Sequence, residues 1–145
     1  MSLDRRQFIC VCARGVACAA LAGCASVVAR RVPLADGTVH LSLLQHPELA
    51  ETGGVIKILP DGQDEPLYVL RDDDGRFSVL SPVCTHRGCT VEVEGARLVC
   101  PCHGSTYDRA GRVLQGPAPR PLTRYPADLS GGVLIIDLRE LRSSR

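Results

Sequence analysis

The sequence predicts an all-β domain built from antiparallel β-sheets. Aromatic residues make up 3% of the 145 residues, Trp is absent, and 14 Gly and 10 Pro punctuate the chain. The apolar runs are short and rich in β-branched residues, which is typical of strands. This composition favours a loop-rich β domain over a helix bundle. The length is sufficient for one domain with a hydrophobic core.

Four strands are predicted in the first part of this domain, at 38–44, 55–59, 67–71 and 77–80. The last two flank the segment 72–75, whose sequence DDDG favours a hairpin turn because Asp and Gly tolerate positive φ. His40 and His46 lie in or after the first strand, and we expect them to be surface or loop residues rather than ligands.

Three further strands are predicted towards the C-terminus, at 90–93, 97–99 and 133–138. The first two flank a hairpin at Glu94 and Gly95, which connects two blocks rich in Cys and His. The last strand follows a turn made of Ser and two Gly. Residues 138–145 predict either a short polar helix or a frayed end, and we treat 141–145 as a C-terminal tail.

Residues 1–29 predict an export signal. Arg5 and Arg6 precede a modest apolar stretch, as in signals of the twin-arginine route, which carries folded proteins. The sequence LAGC ending at Cys24 resembles a bacterial lipobox, so Cys24 is a candidate lipidation site. The alternatives are a chance cysteine or an uncut membrane anchor, although the apolar run 15–29 is shorter than the roughly 20 residues of a bilayer span.

Lipidation at Cys24 or an uncut anchor would place the domain at the bacterial cell membrane, facing the periplasm or exterior and tethered to the membrane. Residues 30–37 predict a short linker without a long flexible hinge. The net charge of +1 does not indicate the basic surface that nucleic-acid binding requires. The sequence also contains no Gly-rich phosphate loop and no pattern of a Ser-His-Asp triad.

Two blocks carry the chemistry of the chain: residues 84–89, with sequence CTHRGC, and residues 100–105, with sequence CPCHGS. Each block supplies a Cys and a His at close spacing, plus one further Cys. Two Cys and two His, divided as one pair per loop, suit a 2Fe–2S cluster with one iron held by sulfur and the other by nitrogen.

A structural zinc site is the main alternative for these blocks. Zinc sites usually open with Cys-x₂₋₄-Cys and close with paired His or paired Cys. Here each block mixes the two residue types and keeps a spare cysteine. The pattern therefore favours the iron–sulfur cluster over zinc.

The two blocks resemble the two boxes of Rieske iron–sulfur proteins. The match extends to residues 116–119, with sequence GPAP, which resemble the proline-rich loop over the cluster in that family. The resemblance implies a Rieske 2Fe-2S domain at 38–140, with Rieske-like antiparallel β-sheets and a cluster-binding subdomain formed by two loops. It also implies one 2Fe–2S cluster per chain.

The resemblance assigns a role to each residue of the two blocks. Cys84 and Cys100 would ligate one iron, and His86 and His103 would ligate the other. The remaining two cysteines match the family's disulfide, which implies a bond between Cys89 and Cys102. Such a crosslink would limit the separation of the two loops, and it suits an exported domain.

Two hydroxyl groups indicate the high-potential branch of the family. Ser105 and Tyr107 match residues that donate hydrogen bonds to a bridging sulfide and to a cysteine sulfur in that branch. These bonds stabilise the added negative charge of a reduced cluster and so raise its midpoint potential. In quinol-oxidising members, the histidine matching His103 hydrogen-bonds quinol and takes a proton while the cluster takes an electron, which makes His103 the candidate catalytic residue.

The resemblance implies the iron–sulfur subunit of a quinol:cytochrome c oxidoreductase, with a cytochrome b and a c-type cytochrome as partners. Arg87 departs from the pattern, since quinol-oxidising subunits usually carry an apolar residue at this point of the tip. A buried, unpaired Arg would be costly. An alternative is a small Rieske electron-transfer subunit of another exported oxidoreductase, such as a molybdenum enzyme. A non-redox metal-binding module is a third class.

Overall fold

The computed structural model describes residues 28–139, so Arg5, Arg6, Cys24 and the tail 141–145 lie outside the described residues. The described residues contain two short 3-10 helices, Leu43–Gln45 and Pro47–Leu49, and no α-helix. The strands are β1 (Ala29–Val32), β2 (Thr38–Ser42), β3 (Val55–Pro60), β4 (Leu67–Arg71), β5 (Phe77–Leu80), β6 (Glu92–Glu94), β7 (Arg97–Val99), β8 (Thr106–Asp108), β9 (Val113–Gln115), β10 (Arg124–Tyr125), β11 (Ala127–Ser130) and β12 (Val133–Asp137). Over the same residues, no helix combines the length and apolar character that a membrane crossing requires.

The predicted all-β class is confirmed, and the strands fall into three sheets. A five-stranded sheet has the order β1-β3-β4-β5-β10, a three-stranded sheet the order β11-β12-β2, and a four-stranded sheet the order β6-β7-β8-β9. All pairs are antiparallel except β1 with β3, which is parallel.

Several predicted strand boundaries need correction. Strands 67–71, 77–80 and 97–99 are confirmed as predicted. The strand predicted at 38–44 ends at Ser42, because the chain turns there into a 3-10 helix. The strand predicted at 90–93 is displaced to Glu92–Glu94, since Thr90 instead forms an isolated bridge with Val83 in the loop before it.

The segment predicted as a linker begins inside a strand. Residues 30–32 belong to β1, which adds to the edge of the five-stranded sheet beside β3. Only Val32 of this strand is buried, so the sequence carries little apolar signal there. The free backbone groups along the β3 edge decide its conformation, a tertiary effect that local sequence patterns do not reveal.

The strands β4 and β5 are buried on both faces. In β4, Leu67 and Val69 join one core, which also includes Ile136 of the three-stranded sheet, whereas Tyr68 and Leu70 join a second core. Successive side chains of a strand point to opposite faces, so the five-stranded sheet forms the middle layer. The four-stranded sheet covers its other face.

The register of the four-stranded sheet brings three loops to one end. Glu92 of β6 pairs with Val99 of β7, Val99 with Thr106 of β8, and Thr106 with Gln115 of β9. This row of residues is where the chain enters β6, leaves β7, enters β8 and leaves β9. The loops before β6, between β7 and β8, and after β9 therefore meet at the same edge, and the β6–β7 turn lies at the opposite end.

Candidate metal centre

Two of these loops have the same backbone design. The amide of Cys84 donates to the carbonyl of Cys89 at 2.8 Å, and the amide of Gly88 donates back to the carbonyl of Cys84 at 2.9 Å. In the second loop, Cys100 and Ser105 form the equivalent bond at 2.8 Å, with Gly104 donating to Cys100 at 3.0 Å.

A glycine closes each of these loops. Gly88 has φ of 78° and Gly104 has φ of 74°. This left-handed conformation is costly for residues with a Cβ atom, so both loops depend on glycine at this point. The repeated design holds the Cys and His of each loop in equivalent positions.

A disulfide joins the two loops. Cys89 and Cys102 are bonded, with their Cα atoms 6.5 Å apart, so the pairing expected from the resemblance is confirmed. The sulfur of Cys100 lies within 4.8 Å of both disulfide sulfur atoms. Because the disulfide sulfur atoms cannot offer a thiolate, Cys100 is the member of this group that is available to a metal.

The two free cysteines are buried at the base of the loops. Cys84 and Cys100 are 2% and 1% exposed. Burial acts to raise the pKa of Cys84, but hydrogen bonds from the Tyr107 hydroxyl and the His86 backbone hold that pKa below its ordinary value. Burial raises the pKa of Cys100, and the neighbouring Cys84 adds to that effect. Two such thiols side by side are suited to binding a cation.

The two histidines lie together at the outer end of the loops. The ring centroids of His86 and His103 are 4.7 Å apart, with the rings nearly perpendicular. Nδ1 of His86 is buried without a hydrogen-bond partner, an arrangement that is rare unless a metal or water completes it. His103 is exposed, so its ring reaches the surface.

Tyr107 connects the second block to the first. The side chain is fully buried, and its hydroxyl lies 3.2 Å from Sγ of Cys84. The backbone amide of Thr85 donates to the same hydroxyl oxygen at 3.3 Å. Burial and the hydrogen bond with Cys84 raise the pKa of Tyr107, so the phenol keeps its proton and can donate it to a thiolate sulfur.

Ser105 fastens the third loop over the site. Its fully buried hydroxyl oxygen accepts a hydrogen bond from the amide of Ala118 at 3.0 Å, and a hydrogen bond between Ser105 and Cys84 helps to lower the pKa of that thiol. The hydroxyl of Thr85 donates to the carbonyl of Arg120 at 2.6 Å. The peptide bond between Gly116 and Pro117 in this loop is cis.

The proline-rich loop was predicted from the sequence, but the residues that anchor it were not. Thr85 was not among the candidate residues, although its position between a candidate Cys and His was the available signal. Arg109 was also missed: its guanidinium donates to the carbonyls of Gly53, Gly54 and Gly95 at 2.7, 2.8 and 3.1 Å. An arginine in a turn sequence carries no local sign of such burial.

The donor set fits a 2Fe–2S cluster bound by two cysteines and two histidines. The two loops together supply two buried free thiols and two imidazoles in contact with each other, one of which has an unpartnered ring nitrogen. A thiolate pair suits one iron and an imidazole pair the other. The disulfide and the hydroxyls of Thr85 and Ser105 connect the three loops around this set.

Comparison with known proteins identifies the family. The family profile described as the Rieske [2Fe-2S] domain matches residues 48–126. The cytochrome b6-f complex iron-sulfur subunit of Prochlorococcus marinus is 30% identical over 93% of this chain and 85% of its own length. The corresponding subunit of Chlorobaculum thiosulfatiphilum is 36% identical over 59% of this chain and 51% of its own.

Other relatives match over a smaller share of their length. The chain spans 33% of the cytochrome b6-f complex iron-sulfur subunit 1 of Nicotiana tabacum, at 40% identity over 49% of this chain. The chain therefore spans about a third to a half of several of the curated relatives it matches.

The solved structures agree with these relatives. The plasma membrane Rieske protein PetC3 of Synechocystis PCC 6803 aligns with a TM-score of 0.51 and 34% identity, over 58% of this chain and 86% of that protein. The monooxygenase CntA shares the fold at a TM-score of 0.56 and 19% identity, over 63% of this chain and 30% of CntA. The chain belongs to the family of Rieske [2Fe-2S] proteins.

Proposed function

We propose that this protein is a high-potential electron carrier and the iron–sulfur subunit of a quinol:cytochrome oxidoreductase. The observation that carries the proposal is the convergence of two buried free thiols and two contacting imidazoles in disulfide-linked loops. Cys84 and Cys100 hold one iron, and His86 and His103 hold the other. The bound cluster supplies a site that accepts and returns one electron.

Spectroscopy of the purified protein tests this proposal. The native protein should contain two iron atoms per chain and give a rhombic EPR signal on reduction. Cys84→Ser and His103→Gln should each abolish that signal, whereas His40→Gln, which removes an exposed histidine away from the loops, should keep it. A protein that binds zinc and gives no such signal would contradict the proposal.

His103 is the residue we propose to contact quinol and to receive its proton. Its exposed ring at the end of the loop pair supports this role, since a donor molecule can approach it without displacing the core. Proton uptake at a metal-bound imidazole would make the midpoint potential fall as pH rises. A potential that is constant between pH 6 and pH 10 would exclude proton coupling.

We further propose that Arg5 and Arg6 direct export of the folded domain by the twin-arginine route, and that Cys24 or an uncut anchor tethers it to the membrane. A cytochrome b and a c-type cytochrome are the proposed partners. The named relatives are subunits of cytochrome b6-f complexes, which supports this assignment. Mass spectrometry of the mature N-terminus distinguishes the two tethers.

The second candidate is a small Rieske subunit of another exported oxidoreductase, such as a molybdenum enzyme. The exposed Arg87 at the loop end supports it, because a charged residue fits poorly in an apolar quinol site. Purification from native membranes decides between the two: a co-purifying cytochrome b supports the first candidate, and a large cofactor-bearing subunit supports the second.

A further inference from the structure

The exposed end of the candidate metal centre is formed by three loops, at residues 84–90, 100–105 and 116–121. The register of the four-stranded sheet brings them to one edge. The disulfide joins the first two loops, and the bond from Thr85 to the Arg120 carbonyl joins the first and third. A protein that exchanges electrons through His103 must touch this surface, which we call the cluster tip.

The charge on the cluster tip has one sign. Its three loops contain two arginines, Arg87 and Arg120, and no Asp or Glu. Both arginine side chains are exposed. In the part of the chain that the structure describes, the ion pairs involve other arginines, and neither of these two is among them.

The rest of the described domain has the opposite charge balance. Residues 28–139 contain more Asp and Glu than Lys and Arg, even with the two tip arginines included. Other exposed arginines are neutralised locally, as in the pairs of Arg112 with Asp108 and Arg139 with Asp137. The positive tip therefore arises from its own loops and does not reflect a generally basic surface.

We propose that the cluster tip docks on an acidic surface of a redox partner protein. Arg87 and Arg120 are the residues that attract this partner and orient it for docking. Complementary charges accelerate diffusional encounter and select the orientation of docking. Because the two arginines lie on the same loop cluster as the exposed His103, the orientation they favour brings the partner to the electron-exchange end. The inference rests on the proposed electron-transfer function and names the chemistry of its partner.

The test measures electron transfer from the reduced, cluster-loaded protein by stopped flow. The acceptors are an acidic c-type cytochrome and, as the probe of opposite charge, a basic mitochondrial cytochrome c. With the acidic acceptor, we expect the second-order rate constant to fall as salt increases, because salt screens the attraction. With the basic acceptor it should stay level or rise.

Neutralising the tip should remove this behaviour. Arg87→Gln and Arg120→Gln should each lower the low-salt rate constant for the acidic cytochrome about threefold, and the double variant should flatten the salt dependence. Arg97→Gln is the matched control: it removes an exposed arginine beside the β6–β7 turn, at the opposite end of the same sheet. Its rate constant should equal that of the wild type.

The outcomes separate the inference from the function on which it rests. A wild-type protein without the rhombic EPR signal would overturn the electron-transfer proposal itself. If the variants retain the signal and midpoint potential of the wild type but react with unchanged rate constants and salt dependence, then the cluster tip does not select an acidic partner. Equal losses in Arg97→Gln would likewise overturn the inference.

Discussion

Tyr107 shows how a single buried side chain ties the site together. Its hydroxyl lies at hydrogen-bond distance from the sulfur of Cys84 and accepts from the amide of Thr85. A metal-bound cysteine carries no proton, so the phenol must be the donor to sulfur. Such a bond strengthens when the site gains an electron, because negative charge on the sulfur increases.

We therefore expect Tyr107→Phe to lower the midpoint potential. The expected decrease is about 60 mV, the equivalent of a tenfold change in the equilibrium constant of a one-electron couple. Ser105→Ala should act in the same direction. Spectroelectrochemical titration measures both.

Tyr68→Phe is the matched control for this change. Tyr68 lies in the same core, but its hydroxyl donates to the carbonyl of Val91 and does not contact a thiol. Its loss should leave the potential unchanged while costing some stability. Equal potentials in the Tyr107→Phe, Ser105→Ala and wild-type proteins would refute the proposed role of the two hydroxyls.

At the scale of elements, Arg109 joins segments that are distant in sequence. Its guanidinium, in a residue only 9% exposed, donates to carbonyls before β3 and in the β6–β7 turn. Arg109→Met would leave three carbonyls without this donor, so we expect the free energy of unfolding to fall by about 2–3 kcal/mol. Chemical denaturation measures the loss.

Arg112, which lies with Arg109 in the turn between β8 and β9, offers a control for the charge that is removed. Arg112 pairs with Asp108, but its side chain is 78% exposed. Because exposed ion pairs contribute little, Arg112→Gln should change the free energy of unfolding by less than about 0.5 kcal/mol. A comparable loss in both variants would show that the buried contacts of Arg109 carry no special weight.

The disulfide is the second link between elements. It closes a loop with a sequence separation of 13 residues, and in the chain-entropy view a loop of this length stabilises the folded state by about 3 kcal/mol. The double variant C89S/C102S should therefore unfold at lower denaturant concentration and release iron sooner. Visible absorbance and circular dichroism follow the two events.

Reducing the disulfide in the wild-type protein provides an independent check on its contribution to stability. Treatment with dithiothreitol should reproduce the losses of the double variant without changing any residue. If neither treatment shifts the unfolding transition, the hydrogen bonds within each loop suffice to hold the pair, and the crosslink contributes nothing measurable.

At the scale of the whole molecule, His46 should contribute to the pH dependence of the free energy of unfolding. This residue lies in a loop, as predicted, but it is 8% exposed and not on the surface. Burial, together with the charge of Arg30, lowers its pKa, against a smaller opposing effect of Glu48. The unfolded chain therefore binds a proton at His46 more readily than the folded protein does.

The free energy of unfolding should consequently decrease as pH falls below about 6.5, the ordinary pKa of histidine. His46→Gln should show a shallower decrease in this range. Thermal melts from pH 5 to pH 8 measure the difference, and His40→Gln controls for the loss of one exposed imidazole. A variant with the same pH dependence as the wild type would exclude His46 as its source.

Local chemistry made part of the fold predictable. Strands such as 67–71 follow from apolar, β-branched runs bounded by turn residues, and the structure has this strand at the same residues. β1 was not predictable, because three of its four residues are exposed and only the edge of β3 makes it a strand. The burial of Arg109 and His46 likewise depends on segments far away in sequence.

The sequence by itself determined the chemistry of this protein: the Cys and His of two blocks, the glycines that close their loops, and the hydroxyls that follow. Side-chain type and short spacing suffice for that, since they fix which donor atoms lie near each other within a loop. Only the tertiary structure decided how the loops meet. The register of the four-stranded sheet brings three loops to one edge, where Arg87 and Arg120 are exposed and the two free thiols are buried. That arrangement arises from strand pairing between residues distant in sequence, which no local pattern specifies.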